Sequence, residues 1–248
     1  MYLKGILLCI FVVTVLADED VLNTCLDAKY HKSKPSIEDA LFSECSSWKD
    51  RSCCTNKTAY WSHQSGPENS YNFSYDHCGS MSDKCRRRFF QDNCFYECSP
   101  NVGPWIVTEK ISYRNQRFKN VPICESSCTA WYDDCKNDLT CKDDWGDGWN
   151  WTSGFNTCPE NAKCKSFSEI FQNATNFCQR VFVGDFAVVP KDSKEPCLVL
   201  WFDSKVNPND EVARYYAKKK GLCCGARRNQ YAAAFLLFAL FLWMYLAL

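Results

Sequence analysis

Asp144-Trp145-Gly146-Asp147-Gly148-Trp149-Asn150-Trp151-Thr152-Ser153-Gly154-Phe155-Asn156, fenced by Cys141 and Cys158, is the stretch around which the chain is organised. Three of the nine tryptophans fall within seven residues, spaced by glycines and polar groups with neither a helical nor a strand period. A loop of that composition between two cysteines has to curl. Its flat side chains fit two roles equally well: a small aromatic core under a surface loop, or a grip on a planar ligand. Ring stacking adds roughly 0.5–1.5 kcal/mol per contact beyond area burial.

Working outward, both ends of the 248-residue chain are apolar and fall outside the folded unit. Residues 1–17 read as a secretory signal: Lys4, an apolar run from Ile6 to Val15, then Val15-Leu16-Ala17 at the cut. Sequons at Asn56, Asn72, Asn150 and Asn173 agree with export and N-glycosylation. Residues 221–248 end in eighteen uncharged positions, Tyr231 to Leu248. As a retained helix this segment has only Arg227 and Arg228 as flanking cations, which would put the glycosylated domain in the cytoplasm, against the signal. A removed tail that directs glycolipid attachment resolves the conflict. Cys224-Gly225-Ala226 supply the small residues and Arg227 to Gln230 a short spacer, with attachment near Gly221 as the other option. The expected product is residues 18–220 held on the outer face of the plasma membrane by a lipid.

Of nineteen cysteines, Cys9 leaves with the signal and Cys223 and Cys224 flank the anchor site, which leaves sixteen from Cys25 to Cys197. An even number in an oxidising compartment predicts eight disulfides within one domain, with the pairing open. Zinc is disfavoured, because no paired Cys-x-x-Cys knuckles occur and there are only three histidines, His31, His63 and His77. Adjacent Cys53 and Cys54 are expected to bond to different partners.

Along the mature chain, Ser36 to Asp39 resembles a helix start continued by Leu41, Cys45 and Trp48, while 51–80 reads as loop with an extended piece at Tyr71, Phe73 and Tyr75. Ser82 is placed to cap a helix running to about Glu97. Its face Cys85, Phe89, Asp92, Tyr96 carries a carboxylate inside an aromatic stripe. A buried ionised Asp needs partners, either local backbone and the Arg86-Arg87-Arg88 run, or a ligand. Tyr113, Arg114 and Arg117 set two guanidinium groups beside an aromatic ring, able to converge on one oxygen. Cys124, Cys128, Trp131 and Cys135 mark a cross-linked helix, and the capping box Ser166-Phe167-Ser168-Glu169 starts another that is expected to end near Phe182. Cys197 to Phe202 reads as a strand, and Asn207-Pro208-Asn209-Asp210 opens a last helix. The fold class is α+β, mainly helical with short strands.

Cys94-Phe95-Tyr96-Glu97-Cys98-Ser99-Pro100-Asn101-Val102-Gly103-Pro104-Trp105-Ile106, the Trp145-to-Phe155 loop, and Trp201-Phe202-Asp203 with Asn207 to Tyr216 together resemble the folate receptors. The resemblance implies an anchored receptor that binds folic acid or reduced folates in a deep cleft and carries them inward by endocytosis. It implies the pairs Cys25–Cys53, Cys45–Cys94, Cys54–Cys98, Cys78–Cys164, Cys85–Cys135, Cys124–Cys197, Cys128–Cys178 and Cys141–Cys158. It also implies a ligand site in which Asp92 reads the pterin N–H groups, Tyr96 stacks, Arg114 and Arg117 meet the pterin carbonyl, and Tyr71, Phe73, Trp145, Trp149 and Trp151 form walls. The chain departs from the family pattern at Tyr113, Gly146-Asp147, Phe182 and Asp185, where the receptors usually carry Trp, His-Lys, Trp and Ser. Asp147 in place of a lysine is expected to repel the folate glutamate. Two other readings share the framework: an adhesion receptor of the sperm–egg type, with a protein partner, and a riboflavin or pterin carrier. No nucleophile–base pair, phosphate loop or metal set points to an enzyme. With a net charge of zero, nothing points to nucleic acid.

Overall fold

In the computed structural model Ser82 takes an extended backbone, and its Oγ accepts the Cys85 N–H, which starts the longest helix among the described residues. The Asp138 carboxylate accepts both the Ser82 N–H and its hydroxyl, so the cap is itself held from a second element. Residues 20–203 and 205–222 are described; the signal read from the sequence, and all of the 221–248 tail beyond Leu222, lie outside them. In chain order the helices are α1 (Asn56–Ser62), α2 (Asp83–Cys98), α3 (Glu125–Cys135), α4 (Phe167–Phe171), α5 (Ala174–Arg180) and α6 (Asn209–Lys219), with short 3-10 turns such as Ser43–Trp48 and Gly103–Trp105. The strands are β1 (Ile106–Ile111), β2 (Arg114–Phe118), β3 (Val121–Cys124), β4 (Leu139–Thr140), β5 (Lys165–Ser166) and β6 (Phe186–Val189). They form three two-stranded sheets: antiparallel β1–β2 and β4–β5, and parallel β3–β6 with Val121 opposite Phe186 and Cys124 opposite Val189.

All eight bridges join the pairs that the resemblance implies. Helix α2 is bridged to α3 through Cys85–Cys135, to the Ser43–Trp48 turn through Cys45–Cys94, and to the segment before α1 through Cys54–Cys98. Cys53 and Cys54 do diverge, to Cys25 and Cys98. A bridged sulfur offers a metal no thiolate. On chain-entropy grounds, closing a loop as long as Cys78–Cys164, with a separation of 86, stabilises the fold by about 4–5 kcal/mol. Between the bridges lies an aromatic core in which Phe89 of α2 meets Trp131 of α3, Phe167 of α4 and Phe177 of α5, all buried.

Four local readings are corrected by tertiary competition. Ser36 to Asp39 starts no helix, because Ser36 exchanges both backbone hydrogen bonds with Ser52 and Glu38 donates its N–H to Lys49; only Ser43–Trp48 winds. Residues 71–75 form no strand, since Asn72 sits at φ 55° and interrupts the extended run. The helix from Ser166 keeps its capping box but breaks at Gln172, φ 67°, where the Asn173 side chain caps α5 by accepting the Asn176 N–H. Cys197 to Phe202 forms one bridge, Leu198 with Ile123, instead of a strand. Beside it the buried Asn209 side chain accepts the Val199 N–H and donates to its carbonyl, standing in for a neighbouring strand. Helix α1 was not foreseen; its buried residues Thr58, Ala59 and Ser62 are too small and polar to print an apolar period. Among the described residues no helix is long and apolar enough to cross a membrane.

Candidate functional site

Helix α2, the β1–β2 hairpin, the 69–75 segment, the tryptophan loop and the Phe182-to-Phe186 turn surround one cavity of about 730 Å³. All thirteen ligand-site side chains named from the sequence line it: Tyr71, Phe73, Asp92, Tyr96, Tyr113, Arg114, Arg117, Trp145, Asp147, Trp149, Trp151, Phe182 and Asp185. The size lies within the range usual for small-molecule sites.

The tryptophan loop serves both roles that its sequence allows. Trp145 lies parallel on Phe89 at 4.5 Å and donates its indole N–H to Thr140, so one face belongs to the core. Trp149 donates to the Trp145 carbonyl and meets Phe73 edge-on, whereas Trp151 is 46% exposed at the rim. Gly148, at φ 73°, makes the curl between the first two tryptophans. The Trp145 N–H bonds to the Val181 carbonyl, which sets the loop against the end of α5.

Asp92 projects from α2 into this cavity and is 5% exposed. No hydrogen bond from the described residues reaches its carboxylate, and the Arg86-Arg87-Arg88 run is spent elsewhere, on Asp76, Glu44 and Asp134. Burial, and secondarily the charge of Asp185, push its pKa well above the usual aspartate range. A buried carboxylate without a partner is costly. It is the arrangement of a group that waits for a donor from outside the fold.

The two arginines converge as expected, but onto carboxylates of this chain. Arg114 donates to Glu109 through Nε, at 2.8 Å, and Nη2. Arg117 donates to the other Glu109 oxygen at 3.1 Å, to the Val183 carbonyl at 3.2 Å and to Asp185. Burial works to raise the Glu109 carboxyl, yet hydrogen bonds from Arg117 and Arg114 outweigh it and leave the pKa lowered. For Asp185 burial wins, and its pKa rises to about 6 in spite of Arg117. Glu109 was not found from the sequence. Its signal lies in the hairpin pairing, which sets Val107 and Thr108 of β1 opposite Arg117 and Gln116, so that the following residue faces back along β2.

A second carboxylate missed at the sequence level is Glu97, 1% exposed at the end of α2. It accepts the Tyr71 hydroxyl at 2.6 Å, and its other oxygen lies 3.4 Å from His31 Nδ1. His31 Nε2 is 3.0 Å from the Tyr96 carbonyl, which can only accept, so Nε2 carries a proton. Nδ1 and that carboxylate oxygen have no hydrogen-bond partner among the described residues. Tyr71 and Tyr96, two of the tyrosines that line the cavity, are thus joined beneath the surface through Glu97 and His31.

The profile of the folate receptor family matches residues 24–199, a span that holds all sixteen bridged cysteines and every residue of the cavity. The chain is 45% identical over 203 residues to folate receptor gamma of Homo sapiens, covering 81% of this chain and 82% of that one. It is 42% identical over 203 residues to folate receptor alpha of Homo sapiens, covering 81% and 79%. It is also 34% identical over 193 residues to the riboflavin-binding protein of Gallus gallus, covering 76% and 74%. The aromatic cavity and its bridged frame are therefore those of a chain that belongs to the folate receptor family.

Proposed function

We propose that this protein is a cell-surface receptor that binds folates in the aromatic cavity and carries them into the cell by endocytosis. The mature unit, residues 18–220, is held by a glycolipid attached after removal of the tail. The observation that carries the reading is Asp92, a buried carboxylate with no hydrogen bond from the described residues, aimed into a cavity walled by Tyr71, Phe73, Trp149 and Trp151. Two carboxylate oxygens accept two N–H groups side by side, the pattern on the edge of a 2-aminopteridine ring. Tyr96 and the tryptophan loop supply flat apolar faces, with Arg114 and Arg117 opposite. Asp147, exposed at the rim, faces the tail of a ligand bound head-first and disfavours an anionic one.

The test is equilibrium binding of folic acid, 5-methyltetrahydrofolate, pteroate and riboflavin to the full chain purified from a secretory host, read by quenching of tryptophan fluorescence. Binding of folic acid or its reduced form, lost in the Asp92→Ala variant, supports the receptor. Pteroate bound as tightly as folic acid assigns Asp147 its effect on the tail. Riboflavin alone moves the chain to carriers of the other vitamin. Silence toward all four ligands leaves an adhesive role as the better reading.

A further inference from the structure

The sequon Asn72-Phe73-Ser74 falls inside the wall of the cavity, and of the four sequon asparagines Asn72 is the one that lines it. The Asn69 side chain accepts the Tyr71 and Phe73 N–H groups, at 2.9 and 3.4 Å, and the Asn72 N–H bonds to the Asn69 carbonyl. The backbone thus folds over on itself with Asn72 at the apex, at φ 55°, which asparagine tolerates better than most residues. Its neighbours are committed inward, Tyr71 to Glu97 and Phe73 to Trp145 and Trp149, while Asn72 itself is exposed. Its Nδ2, the atom to which a sugar is joined, makes no hydrogen bond among the described residues, whereas Asn69 and Asn156 close by donate theirs to the Gln64 and Ser74 carbonyls. Ser74 is buried, but the sequon is read on the chain as it enters the secretory compartment, before the fold closes over it.

The exposed lining residues Asn72, Asp147, Trp151 and Val183 mark the mouth of the cavity, and the buried Asp92, Phe118 and Phe186 its floor. A glycan on Asn72 therefore stands at the mouth as a branched, hydrated chain bulkier than any side chain. A ligand contained by the cavity lies beneath it. A ligand whose tail runs on through the mouth has to share the opening with it, and both chains lose conformational freedom. We infer that Asn72 carries an N-linked glycan that acts as a size filter on the cavity. Within the receptor reading, on which this rests, the filter admits folates whose tail ends at the first glutamate and hinders those whose tail continues as a polymer.

Length has to be separated from charge, because the Asp147 carboxylate at the same mouth acts on charge alone. The two probes are folic acid carrying a methylamide, and folic acid carrying a poly(ethylene glycol) chain, on the same γ-carboxyl group. They are equal in head and charge and unequal in length. The full chain is made in cells that produce only high-mannose glycans, and occupancy of Asn72 is read by peptide mass mapping after enzymatic deglycosylation, which converts an occupied Asn to Asp. Dissociation constants are then measured by tryptophan quenching for the native chain, for the same chain trimmed with endoglycosidase H, and for Asn72→Gly, which removes the sequon and suits the backbone.

The expected result is an occupied Asn72 and a long probe bound about tenfold more weakly than the short one by the native chain, with the ratio falling to near one after trimming and in Asn72→Gly. An unoccupied Asn72, or two probes bound alike by the native chain, overturns the inference and leaves the receptor reading standing. A ratio that survives trimming assigns the filter to the protein rim, and one relieved by trimming but not by Asn72→Gly assigns it to another sequon; either result overturns the role of Asn72. No binding of either probe by any form, nor of folic acid, sinks the receptor reading as well.

Discussion

Replacing Asp185 by Asn measures what the charge of the cavity costs the fold. Burial lifts this carboxyl from the ordinary 3.8 to about 6, against the opposing pull of Arg117 and Arg114. The folded carboxyl keeps its proton to a higher pH than the unfolded one, so the native state binds more protons between about pH 4 and about pH 6. Stability therefore falls as pH rises through that window and is level above it. At ~1.4 kcal/mol per pH unit, the distance from 3.8 to about 6 corresponds to ~3 kcal/mol. At pH 4 a protonated Asp and an Asn present the same neutral shape to Arg117, so native chain and Asp185→Asn variant should be nearly equal in stability. By pH 7 the variant should lead by ~3 kcal/mol, and by more if relief of Asp92 adds to it, since the Asp185 charge also pushes Asp92 up. The assay is guanidinium unfolding with the bridges intact, followed by tryptophan fluorescence at pH 4, 5, 6 and 7. Glu44, Asp76 and Asp143, whose pKa values are lowered, titrate in both proteins and cancel in the difference. A stability difference that stays constant across those four pH values would refute the reasoning.

Asp92→Asn should likewise stabilise the empty protein at neutral pH while weakening pteridine binding by a hundredfold or more, about 3 kcal/mol of charge-assisted hydrogen bonding; an unchanged affinity by titration removes Asp92 from the site. Asp147→Lys should restore discrimination between folic acid and pteroate by about tenfold, read as the ratio of their dissociation constants. Tyr71→Phe takes the only hydroxyl that bonds to Glu97 among the described residues and should cost about 1–3 kcal/mol in the same unfolding assay, because a buried acceptor is left bare. Thr55→Ala removes the side chain that caps α1 and should cost about 1 kcal/mol with ligand affinity unchanged.

The sequence made some of this legible and hid the rest for physical reasons. Where one residue does a local job, as with Ser82 capping α2 or Ser166 and Glu169 forming a box, the reading and the structure agree. Where a residue bonds across the fold, local signals mislead: Ser36 reaches Ser52 and Asn209 reaches Val199, and a helix start and a strand disappear. The same division holds in the cavity. The aromatic walls and Asp92 stand out by type and spacing, but Glu109 acquires meaning only when the hairpin folds it onto two arginines. Glu97 acquires it only when His31, distant in sequence, is packed against it.

The bridges also decide where this molecule can be taken apart. The loops closed by Cys25–Cys53, Cys45–Cys94, Cys78–Cys164 and Cys124–Cys197 overlap end to end, so every peptide bond from Cys25 to Cys197 lies inside at least one covalent ring. A protease that cuts once anywhere in that span produces a nicked protein and no free fragment. Beyond Cys197 the ring system stops, and α6 is held by weaker means: Asp210 with Arg51 and Asn101, Asn209 with Val199, Tyr216 against Trp105. Within 25–219, only a cut beyond Cys197, for example in the segment from Leu198 to Pro208 ahead of α6, divides the chain into separable parts. It would leave all eight rings and the whole cavity on one piece, separated from α6. In such a molecule, loss of the carboxyl-terminal helix and loss of the cavity are independent events.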